Sequence, residues 1–489
     1  MTVGMNDTTP TDIVATVRKA TAAAARAPRR TPFVELLASP GERIIAPFLG
    51  LYLGYAVVRL PEVFPVLEVP HLPMILMLVF IAVLAVIVPA DGWKALWQRS
   101  RPLKIVLALF GLAIVTAPLG IWASESFLFI QQHYLTDILI FVSCLVFLRD
   151  RRNLRVAVAL YVLATATVSL HVVRTYDPNA VILNEDGDPI DPEVLAERPE
   201  LRRLQSVGAS LDPNDFGAII ATTFPLALWL SVGSFGRRIF WSAIAGLMVL
   251  AVVPTQSRGS ELGLVAAAAV ILFVGAGGWR RWLSGALIVA CAGVFVVMAT
   301  GIGAGARFAD FSTEDYNVAG NEGRLYFWKQ GLIWMLKRPW GYGIVNYSTY
   351  FGILNGEERA AHSAWVQYGV ELGVAGLALF VALCRLLING LRSLRTRALL
   401  LRETYAASRD EATLAGHMLA MLAGVLVTGS FLSNAYYPLM YMGLGLAAAT
   451  LIGTPIPDHM TPAEAPPSPS REQVPRRRPR RFHNQLPTS

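Results

Sequence analysis

Arg324-Leu-Tyr-Phe-Trp-Lys-Gln330, continuing through Lys337-Arg-Pro-Trp-Gly-Tyr-Gly343 to Ala361-His-Ser-Ala-Trp-Val-Gln367, is a polar, aromatic stretch set between long apolar runs. It carries one arginine near its start and one histidine near its end. The runs on either side must lie in lipid, so ionisable groups held at their edge need a reason to be there. The arrangement suggests an anion-binding cation and a base that face the same compartment.

Working outward, the apolar runs decide the fold. The chain has 489 residues, of which 54% are hydrophobic and only 16% charged, with a mean hydropathy of +0.49. A soluble protein would carry roughly 25% charged residues. Runs of about 20 apolar residues are long enough to cross about 30 Å of hydrocarbon, and a helix satisfies its own backbone there. An all-α, polytopic integral membrane protein is therefore expected. Its spans are placed at 44–60, 72–90, 103–122, 133–148, 154–173, 211–231, 239–254, 261–276, 283–302, 363–384, 413–432 and 437–453. That makes about twelve transmembrane helices.

Charge supplies an orientation. Arg18 to Arg43, Lys94 to Lys104, Arg149 to Arg155, Arg237-Arg238, Arg280-Arg281, Arg385 to Arg409 and Arg471 to Arg481 all fall on one side of this alternation, and they hold 30 of the 42 Lys+Arg residues. The positive-inside rule makes that side cytoplasmic, with both termini inside. Residues 1–43 read as a cytoplasmic extension, since they lack the apolar core and cleavage site of a signal peptide. Residues 44–453 read as the membrane domain. Residues 454–489 read as a disordered, basic cytoplasmic tail that is attracted to anionic lipid, with no nucleic-acid role. Two polar segments, about 174–210 and 303–362, then fall outside. The three cysteines (Cys144, Cys291, Cys384) sit in separate apolar runs, so no disulfide or zinc site is expected.

Five residues at the outer face are candidates for chemistry. His362 precedes the tenth expected span, where the positive end of the helix dipole favours a neutral, proton-accepting imidazole. Arg324 opens a segment with Leu325, Trp328, Leu332 and Met335 at helical spacing, which predicts an amphipathic helix on the outer membrane surface with Trp328, Trp334 and Trp340 at headgroup level. Arg258, in Pro254-Thr-Gln-Ser-Arg-Gly-Ser260, sits at the mouth of two spans. Its guanidinium either snorkels to lipid phosphate or holds a pyrophosphate through paired hydrogen bonds. Asn214 and Asp215, in Asp212-Pro-Asn-Asp-Phe216, either bind sugar hydroxyls or orient a cation, unless Asp212 or Asn214 simply caps the helix.

Other motifs fail on context. Asp186-Gly-Asp188 has no nucleotide-binding unit around it and reads as a turn. Gly341-Tyr-Gly343 lacks the carbonyl ring of an ion filter. Gly301-Ile-Gly-Ala-Gly305 follows no strand.

At Ser257-Arg258-Gly259, Gly323-Arg324 with Trp328, Arg338-Pro-Trp-Gly-Tyr-Gly343, and Ala361-His362-Ser363 running into Glu371-Leu-Gly373 and Gly376-Leu377, the chain resembles the O-antigen ligase and polymerase superfamily of bacterial envelope enzymes. The likeness is concentrated in about 205–380. It implies a glycosyltransferase of the bacterial inner membrane. The donor would be an undecaprenyl-pyrophosphate-linked glycan, and the acceptor a hydroxyl of another glycan, of a lipid A core or of a protein. The resemblance implies His362 as general base, Arg258 and Arg324 as pyrophosphate ligands, and no metal or other cofactor. Where the family often has His-Asn, this chain has His362-Ser363. The runner-up readings are a polymerase of the same superfamily and a transporter or flippase for an anionic solute or lipid. The latter would place its charges near the midplane and not at one face.

Overall fold

A computed structural model of the chain describes residues 42–69, 72–176, 212–255, 257–274, 285–286, 323–401 and 408–454. Among them there are helices and turns but no strand. The helices are α1 (Glu42–Val57), α2 (Leu72–Ile87), α3 (Ala90–Arg99), α4 (Arg101–Thr116), α5 (Ala123–Phe147), α6 (Arg151–Thr175), α7 (Pro213–Leu230), α8 (Phe235–Val252), α9 (Arg258–Val274), α10 (Arg324–Lys337), α11 (Asn346–Asn355), α12 (Ala364–Glu371), α13 (Gly373–Leu400), α14 (Ser408–Gly429) and α15 (Pro438–Ile452).

Six of these helical segments are long and apolar enough to cross a membrane: Arg101–Leu119, Ala123–Phe147, Arg151–Thr175, Phe235–Thr255, Gly373–Leu400 and Ser408–Gly429. A seventh is added if α2 and α3 count as one span. Ile44–Val57 and Pro438–Ile452 are apolar but shorter. Every expected segment except the ninth has a helix at its position. The ninth falls almost wholly outside the described residues, as do the loop at 177–211, the N-terminal extension through 41 and the tail from 455.

The structure differs from the sequence reading at three helices. The second expected span is followed, where a loop was expected, by a further helix α3 turned by 98° between Ile87 and Ala90, because Pro89 at the break removes a backbone donor. The fourth begins near residue 123, not 133. Ser126 is buried, and the polar run Gln131-Gln-His133 is carried on a π turn at Ile130–Tyr134. The tenth is interrupted at Leu372: α12 has only eight residues, and α13 starts afresh at Gly373.

Small residues draw the helices together, as expected where lipid supplies no hydrophobic drive for association. Helix α14, at the centre, packs on α7, α9 and α13. A Cβ on Gly424 would lie 2.5 Å from the Ala221 carbonyl oxygen, and one on Gly263 would lie 2.3 Å from the Thr428 methyl. At one end of the bundle the charged groups are tied into the frame. Arg151 holds Glu411 through two hydrogen bonds of 2.6 and 2.7 Å and also donates to the Thr450 carbonyl. Asp150 caps α6 by accepting from the Arg152 and Asn153 amides.

The opposite end collects the loops after α1, α4 and α14, the starts of α7 and α9, and the α10–α12 segment. The charge alternation assigns all of these to one side. The loop after α4 joins through the Trp122 amide, which donates to Asn346 Oδ1 at 2.9 Å, and the others through the contacts described next.

Candidate functional site

Each candidate residue sits where a helix begins. Arg258 is the first residue of α9, and Arg324 the first of α10, just after Gly323. Asn214 and Asp215 lie in the first turn of α7. Asp212 supplies the cap there, its carboxylate accepting from the Asn214 amide at 2.7 Å. The capping role in Asp212-Pro-Asn-Asp thus belongs to Asp212, which leaves the Asp215 carboxylate for another contact.

That contact is with Tyr437, whose hydroxyl donates to Asp215 Oδ2 at 3.0 Å and accepts from Arg59 at 3.0 Å. The Arg59 guanidinium lies 3.9 Å from the same carboxylate oxygen. Arg59 was not singled out in the sequence. It ends the first apolar run, where a lone arginine looks like an ordinary interface residue. Its left-handed backbone (φ 58°) is the structural signal that marks it.

His362 departs from its expected setting. It precedes the eight-residue α12 and not a spanning helix, so only a short dipole acts on it. Its backbone is left-handed (φ 48°), a sparsely populated state for a side chain with a Cβ. Its amide donates to Ser433 Oγ at 2.8 Å, and its ring centroid lies 6.0 Å from that of Phe327. Phe327 is one turn along α10 from Arg324. Trp328, in the same turn, lies 6.1 Å from Phe431, and a Cβ on Gly259, next to Arg258, would come within 2.9 Å of Phe431. The starts of α9 and α10 and the residue before α12 therefore share neighbours in one short loop, Ser430–Tyr437, between α14 and α15.

The aromatic face of α10 corrects a second expectation. Trp334 is 2% exposed, enclosed by Tyr347, Tyr350 and Phe351 at centroid distances of 5.3, 4.7 and 6.1 Å. It is therefore a core residue of the α10–α11 unit. Trp340, by contrast, is 57% exposed, as are Leu332 and Leu336 on the other face of α10 at 53% and 70%. The helix is apolar on two sides, one facing the protein and one facing outward.

Beneath the site, Glu371 is buried at the end of α12. Its Oε1 accepts from the Tyr347 amide at 3.2 Å, and its Oε2 has no hydrogen-bond partner. Burial pushes its carboxyl up to about 8, with backbone donors including that of Tyr347 opposing the shift. A carboxyl with a raised folded-state pKa stabilises the fold least once it must ionise. Stability is therefore expected to fall as pH rises from near the ordinary value of 4.5 towards 8, by a few kcal/mol at about 1.4 kcal/mol per unit. Glu371→Gln mimics the protonated form and should flatten that slope in thermal unfolding measured across the range. An unchanged slope would remove Glu371 as its source.

Glu261, one turn into α9, keeps Oε1 buried without a hydrogen-bond partner, and the Trp328 indole nitrogen is in the same condition. Among the described residues no group of three or more His, Cys, Asp or Glu side chains has the spacing of a metal site.

Residues 243–381 match the family model described as O-antigen ligase, a similarity that covers that segment of the chain. No curated protein matches the chain. The matched segment contains Arg258, Arg324 and His362, whereas Asn214, Asp215 and the Ser430–Tyr437 loop lie beyond it. The apolar helices indicate a multi-pass membrane protein, and residues 243–381 are similar to O-antigen ligases.

Proposed function

We propose that the protein transfers a glycan from an undecaprenyl-pyrophosphate carrier to an acceptor hydroxyl at the periplasmic face of the inner membrane, as an O-antigen ligase does. The observation that carries this reading is the gathering of three chain-remote segments, headed by Arg258, Arg324 and His362, around the Ser430–Tyr437 loop. The arginine-rich opposite end supports the periplasmic assignment, since that end is the cytoplasmic one by the positive-inside rule.

The chemistry follows from the residue types. Pyrophosphate is already a competent leaving group, so the site must orient the donor, offset negative charge and take one proton. In this reading the acceptor oxygen forms a bond to the anomeric carbon as the bond from that carbon to the phosphate oxygen breaks. The acceptor proton passes to His362, and the lipid pyrophosphate departs with the bonding electrons. Arg258 and Arg324 hold that pyrophosphate, each at a helix start, where the amide dipoles also favour an anion. Asp215, already engaged with Tyr437 and Arg59, braces the wall of the site.

The arginine roles are tested by Arg258→Ala, Arg324→Ala and the corresponding lysine variants in a deletion strain. The alanine variants should lose at least tenfold of surface-attached glycan at equal protein level. Lysine should rescue only in part, because it cannot form the paired bonds of a guanidinium. Full-length glycan made by both alanine variants would defeat the proposal. The form of the remaining glycan separates the polymerase reading, since accumulation of single repeat units would indicate chain extension and not attachment. Flipping of the lipid-linked glycan by purified protein in liposomes, with no bond formed, would favour the flippase reading instead.

A further inference from the structure

We propose that Ser433 is the positioning residue for His362, and that the Ser430–Tyr437 loop is the element that assembles the site. This rests on the transfer reading above and assigns a role to residues outside the matched family segment. Every polar residue of the loop named here reaches a different part of the site. Ser430 Oγ accepts from the Trp365 indole at 3.0 Å, and the Ala435 amide donates to Gln367 at 3.3 Å, so the loop grips α12 at two points. Tyr437 binds Asp215 and Arg59 at the start of α7 and the end of α1. Phe431 lies between Gly259 and Trp328, beside the starts of α9 and α10. Ser433 reaches the residue proposed as the base.

The contact acts on the backbone of His362. A left-handed φ of 48° is disfavoured for a residue with a Cβ and persists only where surrounding groups over-determine it. The Ser433 hydroxyl accepts the His362 amide hydrogen in this turn. Without it, the amide of a half-buried residue loses its acceptor and the turn can relax towards an ordinary φ. That relaxation would swing the imidazole away from Phe327 and from the start of α10. A misplacement of about 1 Å is enough to cost on the order of 100-fold in rate.

The test uses the full-length protein with Ser433→Ala and Ser433→Thr, the latter keeping a hydroxyl. In nanodiscs, isotope-labelled histidine NMR follows the His362 ring, assigned among the seven histidines by its loss in His362→Asn. In a deletion strain, surface-attached glycan is measured at equal protein level. Ser433→Ala should shift the His362 ring signals and their titration midpoint and lower attached glycan at least tenfold. Ser433→Thr should restore both. Ring signals and midpoint unmoved in Ser433→Ala would overturn the proposal. So would a loss of glycan that tracks a fall in unfolding temperature and is not rescued by threonine, since that marks a purely structural serine. Failure of the transfer reading shows separately, as wild-type protein that restores no glycan, and the NMR arm still decides the role of Ser433.

Discussion

Replacing His362 with asparagine is expected to abolish glycan attachment while leaving the protein folded and at its normal level. The choice of asparagine comes from the backbone. His362 holds a φ of 48°, and asparagine is among the few residues that enter this region readily. His362→Ala removes the imidazole too, but alanine tolerates the left-handed region less readily than histidine or asparagine and so confounds lost chemistry with lost order. If the imidazole takes the acceptor proton, both variants should fall by about 10²- to 10⁴-fold, the usual worth of a positioned general base. Only the alanine variant should show a lower unfolding temperature. An asparagine variant that still attaches glycan at more than a tenth of the wild-type rate would remove the histidine from the proton-transfer step and leave it as a turn residue.

The same geometry shows which parts of the molecule could be read along the chain. Apolar runs located most of the helices, because that signal is local and repeats many times, while the alternation of arginine-rich loops supplies the expected orientation of their ends. Motif order singled out His362, Arg258 and Arg324, and those residues do lie at neighbouring helix starts. The Ser430–Tyr437 loop left no such trace. It is eight residues long, carries no charge, and makes the contacts described above with partners 65 to 378 positions away. A serine that matters through one hydrogen bond to a backbone amide looks like any other serine.

The error over Trp334 has a different cause. In a helix apolar on two faces, spacing alone cannot say which tryptophan meets lipid and which meets protein. The partners that enclose Trp334 come from α11, whose existence the sequence reading did not anticipate. The break at Leu372 was hidden for a related reason. Apolar residues continue across it, and only the glycines reveal that the chain must turn there.

Those glycines carry the second large effect. The Pro339–Gly343 turn runs against the α12–α13 break as a backbone seam. Tyr342 donates to Val370 O and Gly343 to Glu371 O, both at 3.0 Å, and Val374 donates back to Pro339 O at 2.9 Å. Two chains can approach this closely only where side chains are absent. A Cβ on Gly341 would stand 2.4 Å from Glu371 O, and one on Gly373 would stand 2.3 Å from Pro339 O; both residues are left-handed, with φ of 96° and 73°.

Gly373→Ala and Gly341→Ala should therefore each cost on the order of 3 kcal/mol, combining strain at positive φ with displacement of a backbone that has no flexible end to yield. Because α12 hangs from this seam by its C-terminus and presents His362 at its N-terminus, glycan attachment should be lost along with stability. Gly356→Ala separates the two causes. Its φ is 88°, but nothing lies within 4 Å of a Cβ placed there, so it should cost only the conformational share, about 1 kcal/mol, and keep activity. Thermal unfolding of the three variants in detergent, read beside surface glycan, decides the matter. If Gly373→Ala unfolds no earlier than Gly356→Ala, the seam does not hold α12, and the link from the glycine turn to the histidine is broken.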